Sequence, residues 1–554
     1  MNPFSTVRTA LLERLTALFP DQQNLSKNIL ITLNDEPRKA EFGDLSTNAA
    51  LVLAPLLKKA PRTVAQDIIA SFSHPLVAAC TIAGPGFINI SLTPEAWGLI
   101  AQRLHNALDD FFTLDANAPR SRYSIEFVSA NPTGPLHLGH GRGGIIGDVL
   151  GTILRFIGHT VTKEFYINDA GRQIDTLGQS FKIRCQQQLG TDCQLPEDGY
   201  HGAYLIDMAQ ALVAHDRTAV EGALESGNDR FFAEYAKERL LAEQQETLKQ
   251  YGIEFDVWFS ERTLHDNGDI ERAIERLRKR GHLYEQDGAL WFRTTSFGDD
   301  KDRVIRRANG ELTYVAADLA YMLNKIERGA QKLLLVLGQD HHGYVSRLKG
   351  AMQAFGYDPD DLDAILYQLV TIKEAGETVR LSKRAGRIVS LEGIIDAVGK
   401  DVARFFYLNR KPDAHLDFDI TLALQKTEEN PVYYIQYAYV RTSSILEKAV
   451  HESGLSNITA EDLHGFDAAE LMLLRKICAL RELLTSISGN YQPHLLTYYV
   501  LELAHTFHSF YAANRVIDRA DRTQSRRRLA LIIVLRNTFG LCLRLLGLSC
   551  PEKM

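Results

Sequence analysis

Two histidines three residues apart open the chemistry of this chain. They sit in Asn131-Pro132-Thr133-Gly134-Pro135-Leu136-His137-Leu138-Gly139-His140-Gly141, a loop that follows a strand-like run and feeds directly into a helical pattern. Free backbone N–H groups at a helix start attract anions, glycines let a ligand approach the backbone, and paired imidazoles donate hydrogen bonds to phosphoryl oxygens. A lone loop histidine more often satisfies a nearby carbonyl. A glycine-flanked pair at a strand-to-helix junction favours phosphate chemistry instead.

The same glycines carry a rival reading. Gly139-x-Gly141-x-x-Gly144, with Glu164 in the next strand-like run, matches the dinucleotide fingerprint of a dehydrogenase. Against it, a proline-rich segment separates the strand from the first glycine, and that fingerprint gives neither histidine a task. Far downstream lies a cationic loop, Lys373 to Val389, containing Arg380-Leu381-Ser382-Lys383-Arg384-Ala385-Gly386. By itself such a run is usually a solvated surface loop. Folded over a triphosphate, its lysine would stabilise the charge that grows on departing pyrophosphate, a contact worth about 3 kcal/mol or roughly a hundredfold in rate.

The 554 residues suggest three or four domains, and 45% apolar with 24% charged residues is ordinary globular composition. A net charge of −7 excludes a uniformly basic nucleic-acid coat, so any polyanion contact is regional. Cys80, Cys185, Cys193, Cys478, Cys542 and Cys550 show no zinc-site spacing and read as buried, reduced thiols of a cytoplasmic protein. Met1 to Pro20 lacks a secretory apolar core, and Leu529 to Leu548, cut by Arg536 and Arg544, reads as a buried helix and not a membrane span.

Patterning supplies the frame. Val7, Leu11, Leu12, Leu15, Leu18 and Phe19 share a helical face; Leu45 to Lys59 and Thr63 to Ser73 continue as helices; Leu76 to Ala83 and Gly86 to Leu92 read as strands around Gly84-Pro85-Gly86. Strand-like runs at 124–130, 160–167, 333–338 and 365–372 alternate with helical patterns, which predicts βαβ units and a parallel sheet. The expected architecture is α/β. An N-terminal α+β domain (1–115) precedes a Rossmann-like catalytic domain (116–400) with a polar helical insertion at about 172–285, and an all-helical C-terminal domain spans 401–554.

Together the two loops resemble the nucleotide signatures of class I aminoacyl-tRNA synthetases, His-Ile-Gly-His as His137-Leu138-Gly139-His140 and Lys-Met-Ser-Lys-Ser as Arg380-Leu381-Ser382-Lys383-Arg384. The flanking segments resemble arginyl-tRNA synthetase of bacterial type. They are Glu126-Phe127-Val128-Ser129-Ala130-Asn131, Tyr314-Val315-Ala316-Ala317-Asp318, Gly338-Gln339-Asp340-His341-His342-Gly343, Asp401 to Phe406, Asn430 to Tyr437 and Gly84 to Asn89.

That resemblance implies a ligase that forms arginyl-adenylate from arginine and ATP with Mg2+ as co-substrate, then moves arginine to the terminal ribose of its tRNA, with no tightly bound cofactor or structural metal. It implies His137, His140 and Lys383 as catalytic, and Pro135, His137, Gly139, His140, Gly141, His341, Ser382 and Lys383 at ATP. It places Glu126, Tyr314 and Asp318 around the guanidinium, with Ser129, Asn131 and Gln339 at the amino and carboxylate end. Phe87, Asn89, Tyr433, Tyr437 and Arg441 become tRNA contacts, and Arg515, Arg519, Arg522, Arg526, Arg527, Arg528, Arg536 and Arg544 add local positive charge. The side chains agree, since a guanidinium's planar fork of donors is satisfied bidentately by carboxylate. Tyr314 and Asp318, four apart on a predicted helix, would share a face. Arg380 and Arg384 depart from the second signature, which leaves Lys383 as its catalytic cation. Members of the family generally need bound tRNA before activation, and the same is expected here. A monomer with no membrane contact is expected, and a synthetase-derived binding protein that has lost the chemistry is the non-enzymatic alternative.

Overall fold

The computed structural model describes residues 2–20, 28–35, 42–374, 377–378 and 390–554, and the chain divides into two compact units. The first comprises Met1–Pro119, Phe156–Gly158 and Gln425–Met554. Its helix Pro3–Leu18 is capped by the Asn2 side chain and buries Phe4, Val7, Leu11 and Leu15 on one face. An antiparallel sheet follows, in the order β1 (Ile31–Leu33), β2 (Leu45–Thr47), β4 (Phe87–Leu92), β3 (Val77–Ala83). The expected helix from Leu45 therefore starts later, at Ala49. Residues 45–47 pair instead with β4, Leu45 opposite Ile90, because that strand buries Leu45 and Thr47.

The C-terminal part of this unit packs four long helices, Pro431–Ser453, Ala468–Asn490, His494–Ala513 and Arg522–Leu546. The last is long and apolar enough to cross a membrane by length and composition, yet Leu529, Leu535, Phe539 and Leu543 are buried inside the unit. Of the arginines expected to face RNA, Arg526 pairs with Asp462, while Arg527 and Arg528 both pair with Glu470, which is fully buried. These three hold the helices together. Cys550 is exposed, unlike the buried thiol expected.

The second unit, Arg120–Arg155 and His159–Leu424, is built on a parallel sheet. Its strands are β5 (Arg122–Phe127), β6 (Thr160–Ile167) and β7 (Val257–Ser260), then, beyond an antiparallel β8–β10 sheet (Leu283–Gln286, Ala289–Phe292, Arg303–Arg306), β11 (Lys332–Gly338) and β12 (Leu362–Tyr367). The order β12-β11-β5-β6-β7 runs outward from β5 in both directions, which makes the carboxyl ends of β5 and β11 a topological switch point. The helical insertion, Arg172–Gln188 to Asp229–Gln250, lies between β6 and β7. It ends earlier than the pattern predicts, because β7 is the sheet's edge strand.

The run read as one strand over 365–372 is two: β12 in the parallel sheet, and β13 (Val370–Glu374) in a second sheet with β14 (Glu377–Thr378) and β15 (Leu416–Asp419). Residues 401–424 belong to this unit and not to the helical domain. Buried Arg404 binds Asp148 at 2.6 Å, and Lys163 binds the same carboxylate at 2.7 Å. Burial pushes Asp148 up, but the two cations hold it below the usual carboxylate range.

Candidate active site

A cleft of about 1040 Å³ opens at the switch point. Its wall brings together Glu126, Ser129, Asn131, His137, Gly139, His140, Tyr314, Asp318, Gln339 and His341, drawn from separated stretches of chain. Pro135 is exposed and off the wall. Gly141 faces the interior, where a Cβ would fall 2.4 Å from Leu391 Cδ1. It allows close packing against Leu391 and Tyr407. Ser382 and Lys383 lie outside the described residues. Phe87, Asn89, Tyr433, Tyr437 and Arg441 belong to the other unit.

The turn out of β5 is strained. Val128 and Ser129 have φ of 66° and 42°, a left-handed conformation that costs a β-branched residue most. Hydrogen bonds hold it: Ser129 Oγ donates to Glu126 at 3.0 Å and accepts the Tyr166 N–H at 3.1 Å. From the insertion, Gln244 Nε2 donates to the Asn131 and Gly134 carbonyls at 3.1 and 2.8 Å, and Tyr204 Oη donates to Thr133 O at 2.6 Å. The loop carrying Asn131 is thereby fixed at several points.

His137 and His140 stack face to face, ring centroids 3.6 Å apart. His137 Nδ1 accepts the Gly139 N–H and His140 Nδ1 accepts the His137 N–H, each at 3.1 Å. A Cβ on residue 139 would lie 3.1 Å from His137 Cε1, so glycine leaves the ring room to turn back. With both Nδ1 atoms accepting, the hydrogen-bond network assigns each neutral ring its proton on Nε2. Burial lowers both pKa values, and with the His137 charge beside it His140 falls to about 3. The pair is a neutral double donor.

The other end of the cleft is acidic. Glu126 is occupied, paired with Lys325, which also lies 4.1 Å from the Tyr321 ring centroid. Glu261 is held above the usual carboxylate range by burial, against the Tyr166 phenol and His265, which favour its charged form. Asp318 has no ion pair among the described residues. Burial, then the Glu126 and Glu261 charges, raise it to about 7 against the Tyr344 phenol and Arg347, which lower it. Tyr314 opens the helix Tyr314–Glu327 and is 62% exposed at the rim, one turn from Asp318 on the same cleft. Sequence reading missed Tyr166, Glu261, Tyr344, Tyr321 and Lys325. For Tyr321 and Lys325 the available signal was the polar spacing 314, 318, 321, 325, one continuous helical face.

In the first unit, Phe87 is 41% exposed, whereas Asn89 is buried and accepts a hydrogen bond from Ser46 Oγ at 2.8 Å. Asn89 therefore braces the sheet, a correction to its expected place at the RNA surface. Arg441 donates to Tyr437 Oη at 2.6 Å, lies 5.3 Å from the Tyr511 ring centroid and contacts His508 at 3.2 Å. Tyr433 is half-buried on the same helix.

Residues 105–414 match the catalytic domain of class I (R) tRNA synthetases, residues 5–92 the arginyl tRNA synthetase N-terminal domain, and residues 435–554 the DALR anticodon binding domain. The chain belongs to the arginyl-tRNA synthetase family. An arginine–tRNA ligase of Desulforamulus reducens is 43% identical over 533 residues, covering 94% of this chain and 93% of that one. One from Syntrophotalea carbinolica is 41% identical over 561 residues, 99% of each. The solved Thermus thermophilus arginyl-tRNA synthetase superposes with a TM-score of 0.74 over 99% of this chain and 100% of that one; at 21% identity it supports the fold.

Within this synthetase the dehydrogenase reading fails on packing. Gly139, Gly141 and Gly144 lie inside the helix Leu138–Ile157, not in a turn before it, and Gly144 packs on Ile253 and Val128. Glu164, which would bind a ribose, is buried and bonded to Arg328, Tyr321 and Ser124.

Proposed function

We propose the following division of labour in the cleft. The protein attaches arginine to its cognate tRNA in two steps, ATP-dependent formation of arginyl-adenylate and then transfer to the terminal ribose hydroxyl. His137 and His140 donate their Nε2–H groups to the phosphoryl oxygens as the arginine carboxylate attacks the α-phosphorus of Mg-ATP. Being neutral, they require no proton uptake first. Gly139, His341 and the loop backbone line the nucleotide side. Asp318 and Tyr314 receive the guanidinium with Glu126 behind them, and Asn131, Ser129 and Gln339 hold the α-amino and carboxylate groups. Lys383 and Ser382 act from their loop on the departing pyrophosphate. No protein nucleophile is required; the site works by positioning and by charge.

One observation carries this reading: a neutral histidine pair and a half-buried carboxyl with no ion pair among the described residues share one cleft at the switch point. A neutral analogue of arginine would leave that carboxyl stranded, so discrimination of about four orders of magnitude needs no editing site. The three matched domains support assigning tRNA contacts to Phe87 and to the Tyr433, Tyr437 and Arg441 helix, and the chain is read as a cytoplasmic monomer. Charging of total tRNA with each amino acid supplied singly tests the assignment, with arginine alone expected to be attached. Pyrophosphate exchange at full rate with arginine and ATP but no tRNA would overturn the expected tRNA requirement.

A further inference from the structure

Tyr344 lies in the first turn of the helix His342–Phe355, reached from β11 through the short turn Gln339–His341. It lines the main cleft and also a chamber of about 30 Å³ shared with Glu126, Asp318, Tyr321 and Lys325. Its phenol shares that chamber with the Asp318 carboxyl and favours its charged form. An ionised carboxylate only accepts, so the phenol is the donor.

Apart from Arg347, whose charge also favours the Asp318 carboxylate, the other groups around Asp318 are committed elsewhere. On β5 Glu126 holds Lys325, which comes from Asp318's own helix, as does Tyr321, whose hydroxyl donates to Glu164. On β6 the Tyr166 phenol favours the charged form of Glu261, from the short helix Glu261–Asp266. Arg347, on the same helix as Tyr344, approaches Asp299 at 3.6 Å. Two of these neighbours, Glu126 and Glu261, are carboxylates that repel Asp318. Tyr344 gives it a donor.

We propose that Tyr344 is a positioning residue for arginine: its O–H fixes one oxygen of Asp318 and keeps the carboxylate charged and aimed for the guanidinium fork. The proposal rests on the arginine pocket described above. Removing the hydroxyl takes away a bond that stabilises only the charged form, so Asp318 protonates more readily and arginine must displace a proton to bind.

The test is Tyr344→Phe, which keeps the ring, measured in tRNA aminoacylation with arginine varied from pH 6.5 to 9, beside Asp318→Asn. For Tyr344→Phe the arginine KM is expected to rise about fivefold at pH 7, with most of the loss in KM and not kcat, and the deficit to shrink below about twofold at pH 9. An unchanged KM at pH 7, or a deficit of equal size at every pH, overturns the role of Tyr344; the latter marks a packing defect. If Asp318→Asn itself leaves the arginine KM unchanged, the pocket assignment fails and the Tyr344 proposal with it. A raised KM in Asp318→Asn with none in Tyr344→Phe removes Tyr344 alone. Isothermal titration of both variants with ATP reports whether the rest of the cleft is intact.

Discussion

Ser390 forms an antiparallel bridge with His137, and the Leu391 N–H donates to the Leu136 carbonyl at 3.0 Å. The far stem of the cationic loop is therefore attached to the histidine signature itself. By the resemblance, Lys383 is the cation that this loop brings to a triphosphate held by the histidines. Lys383→Ala should slow adenylate formation more than tenfold with little change in arginine KM, because the role proposed for the cation is on the leaving group. Single-turnover kinetics decides it: an unchanged rate removes Lys383 from the reaction.

The tautomers of His137 and His140 make a second expectation. Each donates from Nε2 while neutral, and His140 protonates only near pH 3. His140→Ala should lower kcat by about a hundredfold, as loss of one oxyanion donor does elsewhere. In the wild type, kcat should show no titration near 6.5 from either ring. A basic limb near 6.5 that disappears in the His140 variant would mean the charged imidazole is the working form.

For Asp318 the shift has the opposite direction. Burial raises it to about 7, and a guanidinium seated there as proposed would pull it down, so arginine binding should expel a proton below that pH. Affinity should fall about tenfold per unit as pH drops below 7 and level off above it. Calorimetry in buffers of different ionisation enthalpy reads the released proton directly. Folding is linked to the same group: a carboxyl whose pKa rises on folding contributes stability that is lost as pH climbs from its unfolded value to about 7. Asp318→Asn should accordingly lose arginine binding yet gain stability at pH 8, by at most about 4 kcal/mol. A variant less stable than wild type at pH 8 would contradict the buried charge.

Much of this site was legible because its parts are local. The strand Thr160–Ile167 has the bounds its β-branched and apolar run predicts, and Tyr314 and Asp318, named by the resemblance, share a face by helical spacing. What sequence hid was assembled across distance. Lys325 reaches Glu126 over 199 positions, and nothing near either residue announces the pair. β5 stops at Phe127 although Val128 suits a strand, since the next two residues turn left-handed to aim the loop. The break between β12 and β13 falls where Leu369 is 77% exposed, an apolar residue that reads as strand by type alone. β7 has only four residues, too few for a pattern beside long helices.

The cluster around Glu470 yields the last expectation, and it concerns arginines that composition had offered to RNA. Glu470 closes a capping box with Asp467 at the start of the helix Ala468–Asn490. It also accepts from Arg527 Nε at 2.7 Å and Arg528 Nε at 2.8 Å, while Arg528 reaches Asp467 and the Arg515 carbonyl at 2.9 and 2.8 Å. Fully buried and holding two cations, it stabilises the bundle by keeping both from being stranded. Glu470→Ala should cost about 3–5 kcal/mol, chiefly through Arg527, which loses its carboxylate, while Arg528 keeps Asp467. Urea unfolding followed by helical circular dichroism of the full chain would show an early transition for the helical part. If stability is unchanged and tRNA affinity drops instead, the arginines serve RNA and the structural assignment of this cluster is wrong.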